Sequence, residues 1–393
     1  MIQALLDDGF VCVARLTGHR HWRWGVAGCC LLLALLWQTP KLGHAYAQLV
    51  GHTEALDANL ARLQEQAAHP LTAHPDVAMT HLAKMAFRLT VPLLMRWLHL
   101  GLVPLLALQV LLGGLVYWVA AGQLAASFRG DRVAAALLTL ALSRTYFGYA
   151  FSYDLFGYFD GLGFAALLLA LGARHWAAIG ALVLVGGFVD ERVLVASPLL
   201  VLWYGARQWG WEAPVGGRWL ATRPAAGVYA AWGLYAALRL YLTWQYHLPN
   251  PSGAGTLVGI SALSHNAWQE LLALGFSDSF KSFWLVLVLA ALVLVRLRRY
   301  GLLALAVVCA APILGGAFLI TDNTRSLAYG MPAVFIACRL LGRYTTAAEQ
   351  RYLAATVLFF ALLMPSYFVT GWAQYHGPLW LVALRALTKQ YYL

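Results

Sequence analysis

The chain has 393 residues, of which 61% are hydrophobic and 11% charged, against roughly 25% charged in soluble domains. That balance excludes an ordinary soluble globular protein and points to an integral membrane protein. The formal charge of +11 is dispersed in short arginine clusters between apolar runs rather than along one basic face, which excludes a nucleic-acid partner.

The predicted elements begin with a basic leader through Arg23 and an apolar run at Trp24–Trp37. Gln38-Thr39-Pro40 follows in place of a small-residue cleavage site, so the run is expected to be a retained first helix and not a cleaved signal. Apolar runs suited to a hydrocarbon core about 30 Å thick then recur to the end of the chain, giving about eleven membrane segments. They lie near 24–39, 97–121, 133–150, 158–173, 177–189, 192–206, 225–245, 282–296, 301–320, 327–342 and 352–369. The expected fold class is all-α: one integral domain, 1–393, built as a polytopic transmembrane helical bundle. Arginine clusters at 15/20/23, 129/132, 174, 207/218/223, 296/298/299 and 339/343/351 carry the mark of cytoplasmic loops. With the N-terminus inside, the loops 40–96 and 246–281 and the C-terminal tail fall on the outer face. The five cysteines lie in or beside the segments or near the N-terminus, and none is placed for an external disulfide.

Loop 40–96 contains an amphipathic pattern at Ala55–Gln66, broken by His69-Pro70 and His74-Pro75. A second helix is expected from about Asp76, with Asp76 near its N-cap. His81, Lys84 and Arg88, spaced i, i+3, i+7, would then form a cationic stripe within an arc of about 60°. Such a stripe suits a lipid-linked phosphate or pyrophosphate; it equally suits a snorkelling interfacial helix against ordinary lipid.

Further along, Tyr146–Asp160 (YFGYAFSYDLFGYFD) holds eight aromatic residues and two acids in fifteen positions. The rings read as an interfacial belt or as a surface for a sugar or an isoprenoid tail. Asp154 and Asp160, spaced i, i+6, do not share a helical face, so different partners are expected for them. Asp190-Glu191-Arg192 follows Gly186-Gly187 at a break between two short segments. It reads either as a self-neutralised knot or as a carboxylate base or metal ligand beside a phosphate-binding arginine. Asp322 and Arg325 sit where one segment ends and the next begins, as a cap with an interfacial arginine or as a phosphate clamp. Arg239 lies within a segment and should face the bundle or a cavity, whereas His265 is expected at the surface. Charge is expensive at membrane depth, so these clusters are expected to share one water-filled outer cavity. No Walker A sequence, GxGxxG after a strand, HExxH or CxxC pair occurs, so nothing points to ATP, a nicotinamide or structural zinc.

The order of these features over residues 24–345 resembles the GT-C superfamily of polytopic glycosyltransferases. The resemblance is carried by FRLTVPLL (Phe87–Leu94), YFDGLGFAALLLAL around Asp160, GFVDERVLVASPLL around Asp190 and DNTRSLAYGMPAV (Asp322–Val334). It implies a membrane enzyme of the bacterial inner membrane with a periplasmic site and a periplasmic C-terminus. Its substrates would be a polyprenyl-phosphate-linked sugar donor and a glycan or glycoconjugate acceptor. Asp57 or Asp76 in the first loop, with Asp160, Asp190 and Glu191, are the candidate carboxylates for acceptor activation or for a divalent cation. His81, Lys84, Arg88, Arg192, Asp154, Asp322 and Arg325 are the candidate residues around the lipid phosphate. A non-catalytic carrier or flippase for a lipid-linked precursor is the alternative of a different class. A carrier needs its charges to alternate between faces, and here they fall on one.

Overall fold

The computed structural model describes residues 2–38, 58–72, 85–154, 157–248, 266–319, 322–364, 366–369 and 373–376. The described residues are helical apart from one short hairpin. The helices are α1 (Ile2–Gly18), α2 (Trp22–Gln38), α3 (Ala58–Ala68), α4 (Thr90–Leu98), α5 (Leu102–Ser127), α6 (Arg132–Leu142), α7 (Tyr146–Tyr153) and α8 (Asp160–Gly172). They continue with α9 (Trp176–Gly187), α10 (Arg192–Ala196), α11 (Pro198–Trp209), α12 (Gly217–Leu220), α13 (Arg223–Tyr246) and α14 (Asn266–Phe280). The last are α15 (Phe283–Arg296), α16 (Tyr300–Leu319), α17 (Asn323–Ala328), α18 (Pro332–Tyr344) and α19 (Ala347–Leu363). By length and composition, α5 and Tyr300–Phe318 within α16 are apolar enough to cross a membrane. The bent pair Ala273–Phe280 and Phe283–Arg296, turning by 83°, makes a third such element if it is one broken span.

Each apolar segment expected from the sequence is therefore helical, and several are interrupted. Segment 133–150 divides into α6 and α7 at Ser143–Thr145, segment 192–206 into α10 and α11 before Pro198, and segment 327–342 is preceded by the short α17. The last segment ends early, at Leu363. Met364 is extended (φ −67, ψ 130), as the residue before Pro365 prefers to be, and the chain then forms β1 (Ser366–Val369) paired antiparallel with β2 (Ala373–His376). The all-α class holds apart from that hairpin. In the first loop, α3 matches the expected amphipathic helix and stops at His69-Pro70. The second loop helix, from Asp76, lies outside the described residues.

Helix starts are set by local chemistry. Asp131 caps α6 by accepting from the N–H groups of Val133 (2.9 Å) and Ala134 (3.1 Å). Thr346 and Glu349 close a reciprocal capping box on α19, which satisfies two donors a helix start otherwise leaves open. Packing then brings helices close where side chains vanish. A Cβ at Gly180 on α9 would stand 2.8 Å from the Gly227 carbonyl on α13, so these two helices approach nearly backbone to backbone. The main core runs through α2 and α5 to α19.

Members of two of the arginine clusters, 129/132 and 339/343/351, meet at one end of this core. Arg351 pairs with Asp131 (2.8 Å) and Arg343 with Glu212 (3.3 Å). Arg132 donates to the Thr17 carbonyl (3.1 Å) and Arg129 to that of Arg343. From that end α6 rises about 16 Å along its axis before α7 begins.

Candidate functional site

At the far end of α6 and α7, α8 opens on Asp160. Phe159 just before it is left-handed (φ 57), a conformation a bulky residue seldom takes. Asp154 holds that corner. Its carboxylate accepts from the backbone N–H groups of Asp160 (2.9 Å) and Tyr158 (3.4 Å), while Gln109 Nε2 donates to its carbonyl (2.8 Å). Burial pushes the Asp154 carboxyl up to about 7, and the neighbouring Asp160 carboxylate pushes the same way.

The Asp160 carboxylate is buried and fully subscribed. Arg325 grips it as a fork, Nε to Oδ2 at 2.5 Å and Nη2 to Oδ1 at 2.9 Å. The hydroxyls of Tyr146 (2.8 Å) and Tyr329 (3.0 Å) complete the set. The packing depends on Gly163, where a Cβ would lie 2.9 Å from the Tyr329 hydroxyl. Arg325 lies over the Tyr158 ring at 3.9 Å and reaches Asp322 with Nη1 (2.7 Å).

From there the charges alternate. Asp322 meets Arg192 (3.3 Å), Arg192 meets Asp190 (3.6 Å), and Asp190 meets Arg88 (2.7 Å). Asp190 also accepts from the Arg192 backbone N–H (2.9 Å), so it caps α10 as well. The outcome is one line, Arg88–Asp190–Arg192–Asp322–Arg325–Asp160, with three positive and three negative members. All are buried except Asp322, whose side chain keeps 13% exposure. Buried charges persist only when paired, and the alternation meets that condition. Burial lifts the Asp322 carboxyl in spite of Arg325 and Arg192. For Asp190 burial acts upward too, but Arg88 and Arg192 outweigh it and hold the carboxyl below its ordinary value.

Arg88, Asp160, Asp190, Arg192, Asp322 and Arg325, drawn from all four charge clusters of the sequence, are thus brought together in one buried ion-pair line. A cavity at the Arg88 end, also lined by Arg62, has about 20 Å³, room for one water-sized particle. Arg88 sits in a turn after Met85, not on a helix, so the expected stripe with His81 and Lys84 does not extend to it as helical spacing. His81, Lys84, Asp57, Asp76 and His265 lie outside the described residues. Asp154 and Asp160 have separate partners, as their spacing implied. Of the aromatic run, Tyr146, Phe147, Tyr149, Phe151 and Phe159 are buried in the core and Tyr158 is half-buried. Phe147 and Tyr329 flank the Phe164 ring at 5.0 and 4.6 Å.

Two positions stand apart from the line. Glu191 is partly exposed, and its side chain makes no hydrogen bond or ion pair among the described residues. Arg239 lies over the Phe87 ring at 4.3 Å and donates to the Tyr235 hydroxyl (3.2 Å); among the described residues it has no carboxylate partner. Next to it, Leu89, Leu93, Trp97, Phe188, Leu238 and Leu242 line an apolar groove of about 490 Å³.

Sequence reasoning passed over a second ionic group. Lys281 pairs with Asp278 (2.7 Å), the Tyr149 hydroxyl reaches Asp278 (3.2 Å), and Arg144 donates to Ser366 on β1 (3.1 Å). All five are buried. Arg144 inside the apolar segment 133–150 was the available signal, since a charge at such a place demands a partner.

Among the described residues no group of three or more His, Cys, Asp or Glu is placed to hold a metal ion. No family model, curated protein or solved structure matches the chain.

Proposed function

We propose that this chain is a GT-C-type membrane glycosyltransferase. It takes a sugar from a polyprenyl-phosphate-type donor at the periplasmic face of a bacterial inner membrane, through about eleven membrane segments with the N-terminus cytoplasmic and the C-terminus periplasmic. The observation that carries the reading is the contact between two unlike environments. An apolar groove of a size usual for ligand sites shares the segments 87–94 and 184–190 with the end of a buried ionic line. A donor with a long apolar tail and an anionic phosphate needs both. The paired arginine clusters at the other end of the core support the sidedness, since cytoplasmic faces concentrate arginine.

The pairing redistributes the roles within this reading. Arg88, Arg192 and Arg325 are occupied by carboxylates, which leaves Arg239, beside the groove, as the guanidinium best placed to meet the donor phosphate. Asp190 is enclosed by Arg88 and Arg192 and serves to position them. Glu191, partly exposed, is the carboxylate available to take the acceptor proton. Its charge, after that of Asp190, helps to keep Arg88 protonated against burial.

The test is sugar transfer in reconstituted vesicles supplied with a labelled polyprenyl-phosphate sugar. Glu191→Gln should keep donor binding and slow turnover by roughly 10²–10⁴-fold, the usual contribution of a positioned base. Arg239→Ala should weaken donor binding about tenfold or more, as expected for a lost charge-assisted contact of about 1.5–3 kcal/mol. Wild-type transfer by both variants would overturn the reading.

A further inference from the structure

The ion-pair line ends at Arg88 with two donor nitrogens unspent. Arg88 is 8% exposed, and one of its nitrogens meets Asp190. Its Nε and Nη1 are buried and have no hydrogen-bond partner among the described residues. On α3 the same is true of Arg62 Nη1. Arg62 and Arg88 line one small cavity, of about 20 Å³, together with Asn59, Gln66, Tyr158 and Val189. Gln66 from the same helix spends its amide N–H groups on the carbonyls of Met85 and Ala86 (3.2 Å each).

Two cations that carry three buried, unpartnered donor nitrogens therefore line one small space. Buried donors left unpaired are costly, and two like charges lining one cavity repel one another. A water there could accept from the arginines and donate to Asn59 or Gln66, which also line the cavity, but it would leave the two positive charges uncompensated. An anion accepts from every side and cancels the repulsion. We infer that Arg62 and Arg88 bind a small inorganic anion of about chloride's size in the cavity beneath α3, fastening that helix over the end of the ionic line. The inference does not rest on sugar transfer.

The whole protein in detergent tests it by thermal unfolding at constant ionic strength, with sodium gluconate exchanged stepwise for sodium chloride. Chloride should raise Tm by a few degrees and saturate, because a ligand bound only by the folded state stabilises it by mass action. Arg62→Gln should lose that chloride-specific rise while unfolding normally in gluconate. Equal chloride responses in wild type and variant, or none in either, would overturn the inference. So would inorganic phosphate acting in chloride's place, since a tetrahedral oxyanion is too large for the cavity. Should Arg62→Gln not fold, bromide anomalous scattering from wild-type crystals decides the matter. A peak between Arg62 Nη1 and Arg88 supports the site, and density there without anomalous signal, hence a water, removes it.

Discussion

Two groups of ion pairs lie at the two ends of the helical core, and they differ in their surroundings more than in their partners. Arg343 and Glu212 keep 59% and 52% of their side chains exposed, whereas Arg325 and Asp160 keep 3% and 0%. In water the pair gains little, typically about 0–1 kcal/mol, because solvent screens each charge and either can do without the other. In the dry line neither charge has an alternative, so loss of one leaves its partner stranded. The same chemical pair is thus an ornament of the surface at one end and a condition of folding at the other.

The widest separation between the two should come from Asp160→Asn. It leaves the fork of Arg325 facing a neutral amide, and we expect a loss of about 3–5 kcal/mol of stability, read as folded yield and Tm in detergent. Asp160→Asn folding like wild type would show that the line is not a closed electrostatic unit. A pH effect comes next. The folded Asp154 carboxyl titrates at about 7, above its unfolded value of about 3.9, so the folded state holds this proton more tightly. Its contribution to stability is then full below about pH 4 and is lost as pH rises through about 7. Tm should accordingly fall between about pH 4 and 7 through this group, and Asp154→Asn should flatten that part of the profile. An unchanged slope in the variant would mean that Asp154 is ionised throughout.

A smaller effect is expected from Tyr329→Phe, which removes one of the hydrogen bonds to Asp160. About 1.5–3 kcal/mol is usual for a bond to a charged acceptor, and chemical denaturation of the two proteins would measure it. At the bottom of the scale, Arg343→Ala should change stability by less than about 1 kcal/mol. If it cost as much as Asp160→Asn, exposure would not be what divides the two ends.

Much of this arrangement is legible in the amino-acid sequence. The helical segments follow from apolar runs, and the convergence of Arg88, Asp160, Asp190 and Arg325 follows from the cost of leaving charge alone in a dry place. What could not be read is who pairs with whom. Nothing local tells Arg325 to choose Asp160, 165 positions away, over the adjacent clusters, because the choice is made by the packing of α17 against α7, α14 and α16. The turn that takes Arg88 off the helix likewise depends on tertiary contacts. The β1–β2 hairpin hid behind an apolar run that composition alone extends to residue 369. Arg144, Asp278 and Lys281 were passed over because each stands singly in sequence, and only folding gathers them.

Helix α7 stands between the two buried ionic groups and touches both. Tyr146 reaches Asp160 and Tyr149 reaches Asp278, one turn apart, with their rings edge to face at 5.4 Å. A short helix pinned at two such points cannot fray at one and stay in register at the other. Local opening in this part of the molecule should therefore be all or none: the backbone amides of α7, of the start of α8 and of α17 would exchange with solvent at a common slow rate, as a single cooperative unit.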